Sequence, residues 1–247
     1  MKHLLYLLLF ISQIGFAKNG FNDANELYRK GQYQQATTIY EQILSSKKHS
    51  AELYFNLGNC YYKMKKVAPA IYNYEKALLL NPNDKSIKTN LKFAQKMRID
   101  DIKEVPNVGF NRVILDFTSA FHYNTWAWLA VGFSILFLCC FLGYYFSSTT
   151  LLKRLFFGLM FLCLIAIVSS SGAGIIERNN YQNDHPAIVF VDIVAVKTEP
   201  KTESQDAFVL HEGTKVQILE KLDNWCKIVL SNDTEGWIEK SYIKEIK

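Results

Sequence analysis

Few residues in this sequence are placed to make or break bonds. The five histidines are His3, His49, His122, His185 and His211, and none stands beside a cysteine, a serine motif or an acid at an informative spacing. There is no glycine-rich phosphate loop and no H-E-x-x-H. The acid pair Asp100-Asp101 sits where a helical pattern gives way to a linker and reads as that transition. Of the five cysteines, only Cys60 and Cys226 fall outside long apolar stretches; Cys139, Cys140 and Cys163 lie within them. No C-x-x-C and no even framework occurs, so all five read as small apolar side chains, without disulfides or a metal site. These residues predict a protein that is not an enzyme and carries no cofactor.

A second set of residues suits recognition. Asn25, Tyr28 and Arg29 recur 34 residues later as Asn59, Tyr62 and Lys63, and Phe21 recurs as Phe55. A third, looser set follows at Thr89, Phe93, Lys96 and Met97. Amides can bond the backbone of an extended peptide while aromatic and cationic groups take its side chains. The expected peptide-binding groove is therefore lined by Asn25, Tyr28, Arg29, Phe55, Asn59, Tyr62, Lys63 and Phe93.

The elements that must hold these groups repeat with the same period. Aligning the chain on itself at an offset of 34 places Gly58 on Ala24, Tyr61 on Leu27, Ala70 on Ala36, Tyr74 on Tyr40 and Leu78 on Leu44. Tyr54, Leu57, Gly58, Tyr61, Ala70, Tyr74, Ala77 and Pro82 resemble the tetratricopeptide (TPR) pattern, in which two antiparallel helices form each repeat. Gly58 and Ala70 would sit where the helices approach closely, Tyr61 and Tyr74 would fill the space beside them, and Gly31 would turn the chain in the first repeat. In such arrays the first helix of each repeat lines the groove. Some members clamp a C-terminal carboxylate; Asn25 and Asn56 fit that pattern, but Phe21, Ser86 and Asn90 replace its cations, so no carboxylate clamp is expected. Residues 85–98 carry an apolar stripe at Ile87, Leu91 and Ala94 opposite a lysine face and read as a capping helix.

The flanking segments set the organisation. Residues 1–17 read as a signal peptide: Lys2 and His3, the apolar run Leu4–Ile11, then Gly15-Phe16-Ala17 at a cleavage point with no cysteine after it. Residues 18–98 are the helical array, and residues 99–123 a linker broken by Asp100, Asp101, Pro106, Gly109 and Asn111. Residues 124–146 and 155–176 are two apolar spans, each long enough to cross a bilayer core of about 30 Å. Lys153 and Arg154, in the connecting loop 147–154, place that loop in the cytoplasm by the positive-inside rule. Both soluble parts then lie outside the cytoplasm. No ionisable side chain other than thiols and tyrosines interrupts the spans, which argues against an ion path.

Residues 185–247 change to β-branched and aromatic runs such as Ile188-Val189-Phe190-Val191, punctuated by turns at His211-Glu212-Gly213 and Asp223-Asn224. About five short strands in a small barrel are expected. Gly213-Thr214-Lys215-Val216, Asn224-Trp225-Cys226-Lys227-Ile228, Glu235-Gly236-Trp237-Ile238 and Ser241-Tyr242-Ile243 resemble a bacterial SH3 domain, with Cys226 where an aromatic is usual. The fold class is thus multidomain: an α-helical TPR solenoid, two transmembrane helices and a small all-β SH3-like barrel. Residues 18–123 carry a net charge of +6 and residues 177–247 a net charge of −4, which suggests distinct surfaces. With no basic run longer than two residues, nucleic acid is not a partner.

The whole order, together with Phe208-Val209-Leu210-His211-Glu212-Gly213-Thr214-Lys215-Val216, resembles the BatE family of bacterial aerotolerance-operon proteins. That resemblance implies protein partners: sister Bat-type membrane proteins with von Willebrand A domains, and a MoxR-type ATPase system. It supports a membrane-anchored scaffold in a cell-envelope complex. The alternative is an envelope sensor that binds peptidoglycan through the SH3-like domain, and a third reading makes Cys60 and Cys226 a redox device.

Overall fold

The computed structural model describes residues 20–102 and 109–247. The expected signal peptide and the middle of the expected linker lie outside the described residues. The described residues divide into two units, one of residues 20–102 with 185–247 and one of residues 109–184.

The first unit begins with five helices: α1 (20–29), α2 (Tyr33–Ser45), α3 (Ala51–Lys63), α4 (Val67–Leu80) and α5 (Lys85–Gln95). Gly31 turns the chain between α1 and α2 at φ 78, where a Cβ would be strained. Ser50 caps α3 by accepting from the Leu53 N–H at 3.1 Å, and Asp84 caps α5 by accepting from Ser86 and Ile87 at 2.8 and 3.1 Å. The close approach expected at Gly58 is present. A Cβ there would stand 2.8 Å from the Tyr74 ring, so only glycine lets α3 and α4 meet. Ala24, Ala36, Tyr40, Ala70, Tyr74 and Ala77 are wholly buried, and Ile87, Leu91 and Ala94 of α5 close the end of the array.

Seven strands follow, two more than expected: β1 (Pro186–Val189), β2 (Ile193–Lys197), β3 (Asp206–His211), β4 (Lys215–Leu222), β5 (Trp225–Val229), β6 (Glu235–Glu239) and β7 (Ile243–Glu245). They form one antiparallel sheet in the order β3-β2-β6-β5-β4-β1-β7. Gly236 is required because a Cβ would meet Val196 Cγ1 at 2.5 Å. Along β5 and β6 buried residues alternate with partly exposed ones, as a sheet with one core face demands.

β1 breaks that alternation: all four residues are buried. Ala187 and Val189 enter the core of the sheet, while Ile188 enters the cluster formed by α3, α4 and α5. Ile246 joins the same helical cluster, and Phe190 packs against it. The two expected heads are thus in contact. The helical array and the sheet share apolar side chains and form one body, because β1 is apolar on both faces and must be covered on both.

The second unit holds α6 (Phe110–Thr118), α7 (Tyr123–Phe146) and α8 (Thr150–Asn183). A helix at α6 was not expected in the linker. Gly109, at φ 86, precedes it, and Arg112 pairs with Asp116 one turn on at 3.6 Å. α8 starts earlier and ends later than the apolar run, so Lys153 and Arg154 stand in its first turns and the loop shrinks to residues 147–149. α7 and α8 are each long and apolar enough to cross a membrane. They pack closely: a Cβ on Gly143 would meet the Phe156 ring at 2.7 Å, and one on Gly174 would meet Trp126 Cβ at 3.2 Å. The Trp126 indole N–H donates to the Thr118 carbonyl at 2.9 Å, which ties α6 to the start of α7.

Candidate functional site

The eight residues expected to line the groove fall on the first helix of each helical pair. Asn25, Tyr28 and Arg29 are on α1, Phe55, Asn59, Tyr62 and Lys63 on α3, and Phe93 on α5. Arg29, Lys63 and Phe93 are exposed, whereas Asn25, Tyr28, Phe55, Asn59 and Tyr62 are half-buried. The Phe55 ring tilts against Tyr74 with centroids 6.0 Å apart, and Tyr28 against Tyr33 at 5.3 Å. Lys96 lies over Phe93, its ammonium 5.7 Å from the ring centroid.

Two of the eight also hold the array together. The Asn25 side-chain carbonyl accepts from the Tyr40 hydroxyl at 2.5 Å and from the Asn56 amide at 2.9 Å. One repeat later, the Asn59 carbonyl accepts from Tyr74 at 2.7 Å and from Asn90 at 2.8 Å. Each rung ties three helices through one amide oxygen. The tyrosine hydroxyls it satisfies are deeply set, and burial pushes the Tyr40 and Tyr74 phenols well above their ordinary range.

A second constellation was not anticipated. Asp100 is not a mere helix-to-linker residue: its carboxylate accepts three hydrogen bonds from the turn after β3. One oxygen accepts from the His211 ring at 2.7 Å; the other accepts from the His211 backbone N–H at 2.7 Å and the Thr214 hydroxyl at 2.6 Å. Burial raises the Asp100 pKa, but the hydrogen bonds from Thr214 and His211 together outweigh it and hold the carboxyl below its usual range. A His–Asp pair is two of the three members of a nucleophilic triad, yet among the described residues no hydroxyl or thiol bonds the far ring nitrogen. The second oxygen instead ties two distant chain segments together.

The rest of that turn seats on the helices as well. Glu212 accepts from the Ala68 N–H at 3.4 Å, serving the N-terminus of α4, which has no side-chain cap of its own. Gly213, at φ 82, faces Val67, Ile71 and Arg98, and a Cβ there would lie 2.9 Å from Val67 Cγ1. Lys215 pairs with Glu75 at 2.9 Å. Farther round, the Lys244 ammonium lies 4.5 Å from the Tyr72 ring centroid and 5.5 Å from that of Phe190. The motif from His211 to Lys215, legible as a turn, is thus the docking element of the sheet. In the Lys215–Glu75 pair the acid comes from the basic half and the base from the acidic half.

Cys60 and Cys226 are wholly buried in different cores. Burial pushes the Cys60 thiol up to about 11 and raises Cys226 too, which disfavours the thiolate that redox chemistry needs. On the sheet, a cavity of about 310 Å³ is lined by Val191, Ile193, Lys197, Trp225, Glu239 and Tyr242 among others.

Known proteins match both parts of this unit. Residues 51–84 match the tetratricopeptide repeat, and residues 193–244 match the bacterial SH3 domain. Two curated relatives, each named Tetratricopeptide repeat protein 16, come from Macaca fascicularis and Homo sapiens. Each is 31% identical over 77 residues, which is 31% of this chain and 9% of the relative. The chain thus spans under a tenth of the curated relatives it matches. The molecule combines a helical repeat region, two candidate membrane helices and an all-β antiparallel domain of the SH3-like kind.

Proposed function

We propose that this chain is a membrane-anchored scaffold whose helical array holds an extended segment of a partner protein. The observation that carries the reading is the lining of α1, α3 and α5. Aromatic rings, the N–H₂ groups of Asn25 and Asn59 and the cations Arg29 and Lys63 recur there at one 34-residue spacing. α7 and α8 would fix the array at a bacterial inner membrane, with both soluble parts outside the cytoplasm. The resemblance to the BatE family supplies the partner class: Bat-type membrane proteins with von Willebrand A domains and the MoxR-type ATPase system they work beside. The double variant Tyr28→Ala with Tyr62→Ala tests the groove. A folded double variant should lose its partners in a crosslinked pulldown from membranes; full recovery of partners refutes the groove.

A second reading is supported by the bacterial SH3 match and by the cavity beside Trp225: the sheet binds peptidoglycan. The measurement is cosedimentation of the detergent-solubilised full chain with purified cell wall, compared with Trp225→Ala. An isolated sheet is a poor probe, since it would expose Ile188 and Ile246.

A further inference from the structure

α6 presents two unlike faces, and neither is covered among the described residues. Val113 and Phe117, one turn apart, are 62% and 51% exposed, and half-buried Ile114 lies beside them. Arg112 and Asp116, also one turn apart, form a second face; their side chains are 63% and 73% exposed and pair at 3.6 Å. In water the first face would leave large apolar side chains uncovered. In hydrocarbon the second would strip an ion pair of its solvent. A boundary between the two media satisfies both faces at once.

The end of α6 is fixed at the depth where such a boundary lies. The Trp126 indole N–H holds the Thr118 carbonyl at 2.9 Å, and the rings of Phe117 and Phe121 pack on that indole with centroids 5.1 and 5.4 Å away. Trp126 in turn stands against Gly174 of α8, where an added Cβ would meet its Cβ at 3.2 Å. Gly174 is one turn before Arg178, and Glu177 and Arg178 are the first charges after the uncharged run 155–176. Tyr123 and Tyr181, with ring centroids 5.6 Å apart, mark the same end of the hairpin. Amphipathic rings of this kind gather at headgroup level. α6 therefore joins α7 where the apolar run of the pair stops. Phe121 is 49% exposed and shares the Trp126 indole with Phe117, so the uncovered apolar surface runs on from α6 to the first turn of α7.

We infer that α6 is an in-plane membrane helix. Its Val113, Ile114 and Phe117 face sinks into a phospholipid surface at the headgroup–acyl boundary, and its Arg112–Asp116 face stays in water. Because Asp116 neutralises Arg112, the attraction comes from apolar area, and a zwitterionic lipid surface is sufficient. A helix so placed keeps the start of α7 from sliding along the bilayer normal. The inference rests on the reading of α7 and α8 as membrane spans and adds a third membrane contact to it.

The experiment is power-saturation electron paramagnetic resonance on the full chain in phosphatidylcholine nanodiscs, with its five native cysteines replaced by alanine. Nitroxides are attached at Val113→Cys and Phe117→Cys. Arg112→Cys, Leu138→Cys in α7 and Val209→Cys in β3, all exposed positions, serve for comparison. Collisions with oxygen, which concentrates in lipid, are set against collisions with a water-soluble nickel chelate. The labels at Val113 and Phe117 should favour oxygen at a depth of about 5–10 Å. Those at Arg112 and Val209 should favour nickel, and Leu138 should lie deepest. Circular dichroism matching the unlabelled chain establishes that each variant is folded. The pair Val113→Glu and Phe117→Glu, read by a label at Ile114→Cys, should turn that site from oxygen-favoured to nickel-favoured while Leu138 stays as it was. Nickel-favoured labels at Val113 and Phe117, shielding of both from both reagents by the first unit or a second copy, or an Ile114 label indifferent to the glutamates overturns the inference. A water-facing Val113 beside a lipid-facing Leu138 sinks the α6 assignment alone, whereas a water-facing Leu138 sinks the anchoring reading and α6 with it.

Discussion

The asparagine rungs of the helical array and the clasp between α4 and the sheet solve the same problem differently. Each gathers several donors onto one side chain: a rung from two helices, the clasp from one turn. A rung uses a neutral amide oxygen with two donors, and it occurs twice, at Asn25 and Asn59. The clasp uses a carboxylate with three donors and occurs once, at Asp100. A neutral acceptor can be repeated along a solenoid because losing one donor leaves a modest defect. A buried charge is riskier: it holds more strongly, and an incomplete partner set costs more. Repetition spreads the load in the array, whereas the junction has one such acceptor beside its apolar contacts and the Lys215–Glu75 pair.

The largest way to break that contrast is Asp100→Ala, which leaves the turn at His211 and Thr214 without its acceptor. We expect a loss of about 3 kcal/mol in the docking of sheet on helices, since three donors lose a charged acceptor. Hydrogen exchange should then speed up in β1 and the first turn of α4 while α1 to α3 stay protected. Gly213→Ala comes next, at about 2–3 kcal/mol, since the added methyl collides with Val67 and the positive φ disfavours it. Chemical denaturation of the full chain should read this loss at the junction.

Asn59→Ala should cost about 1–3 kcal/mol, because Tyr74 keeps a buried hydroxyl without an acceptor. A similar value for Asn25→Ala would sharpen the picture of equal rungs. Lys215→Gln removes a half-exposed ion pair with Glu75 and should cost about 1 kcal/mol or less. Acid should separate the two regions without mutation. Asp100 has a lowered pKa when folded, so its contribution is complete above the ordinary carboxylate range and is lost as pH falls through the lower folded value. The junction should therefore loosen in acid before the neutral rungs do, seen as early exchange in β1.

Local and periodic features were readable from the chain alone. Gly58, Ala70 and Tyr74 betray the helical pairs because a close approach needs a missing side chain beside a large one. The apolar runs along α7 and α8 need only length and composition. The recurrence of Asn25, Tyr28 and Arg29 as Asn59, Tyr62 and Lys63 was legible by phase, since a solenoid repeats its exposed face. The double duty of Asn25 and Asn59 was hidden because an asparagine that bonds solvent looks the same in sequence as one that bonds Tyr40 or Tyr74. α6 was hidden too, because a nine-residue helix after Gly109 leaves too few turns for a period to show.

The sequence by itself determined the repeat, the two apolar helices and the strands of the sheet, because each depends on spacing within about 40 residues. Only the tertiary structure decided that the helices and the sheet are one body. That depends on Asp100 meeting His211 and Thr214, 111 and 114 positions away, and on Ile188 turning to the helices while its neighbours turn to the sheet. A contact made once, between segments so far apart, leaves no period to read. His211-Glu212-Gly213-Thr214-Lys215 carries the signature of a turn; its partner surface exists only after both halves have folded.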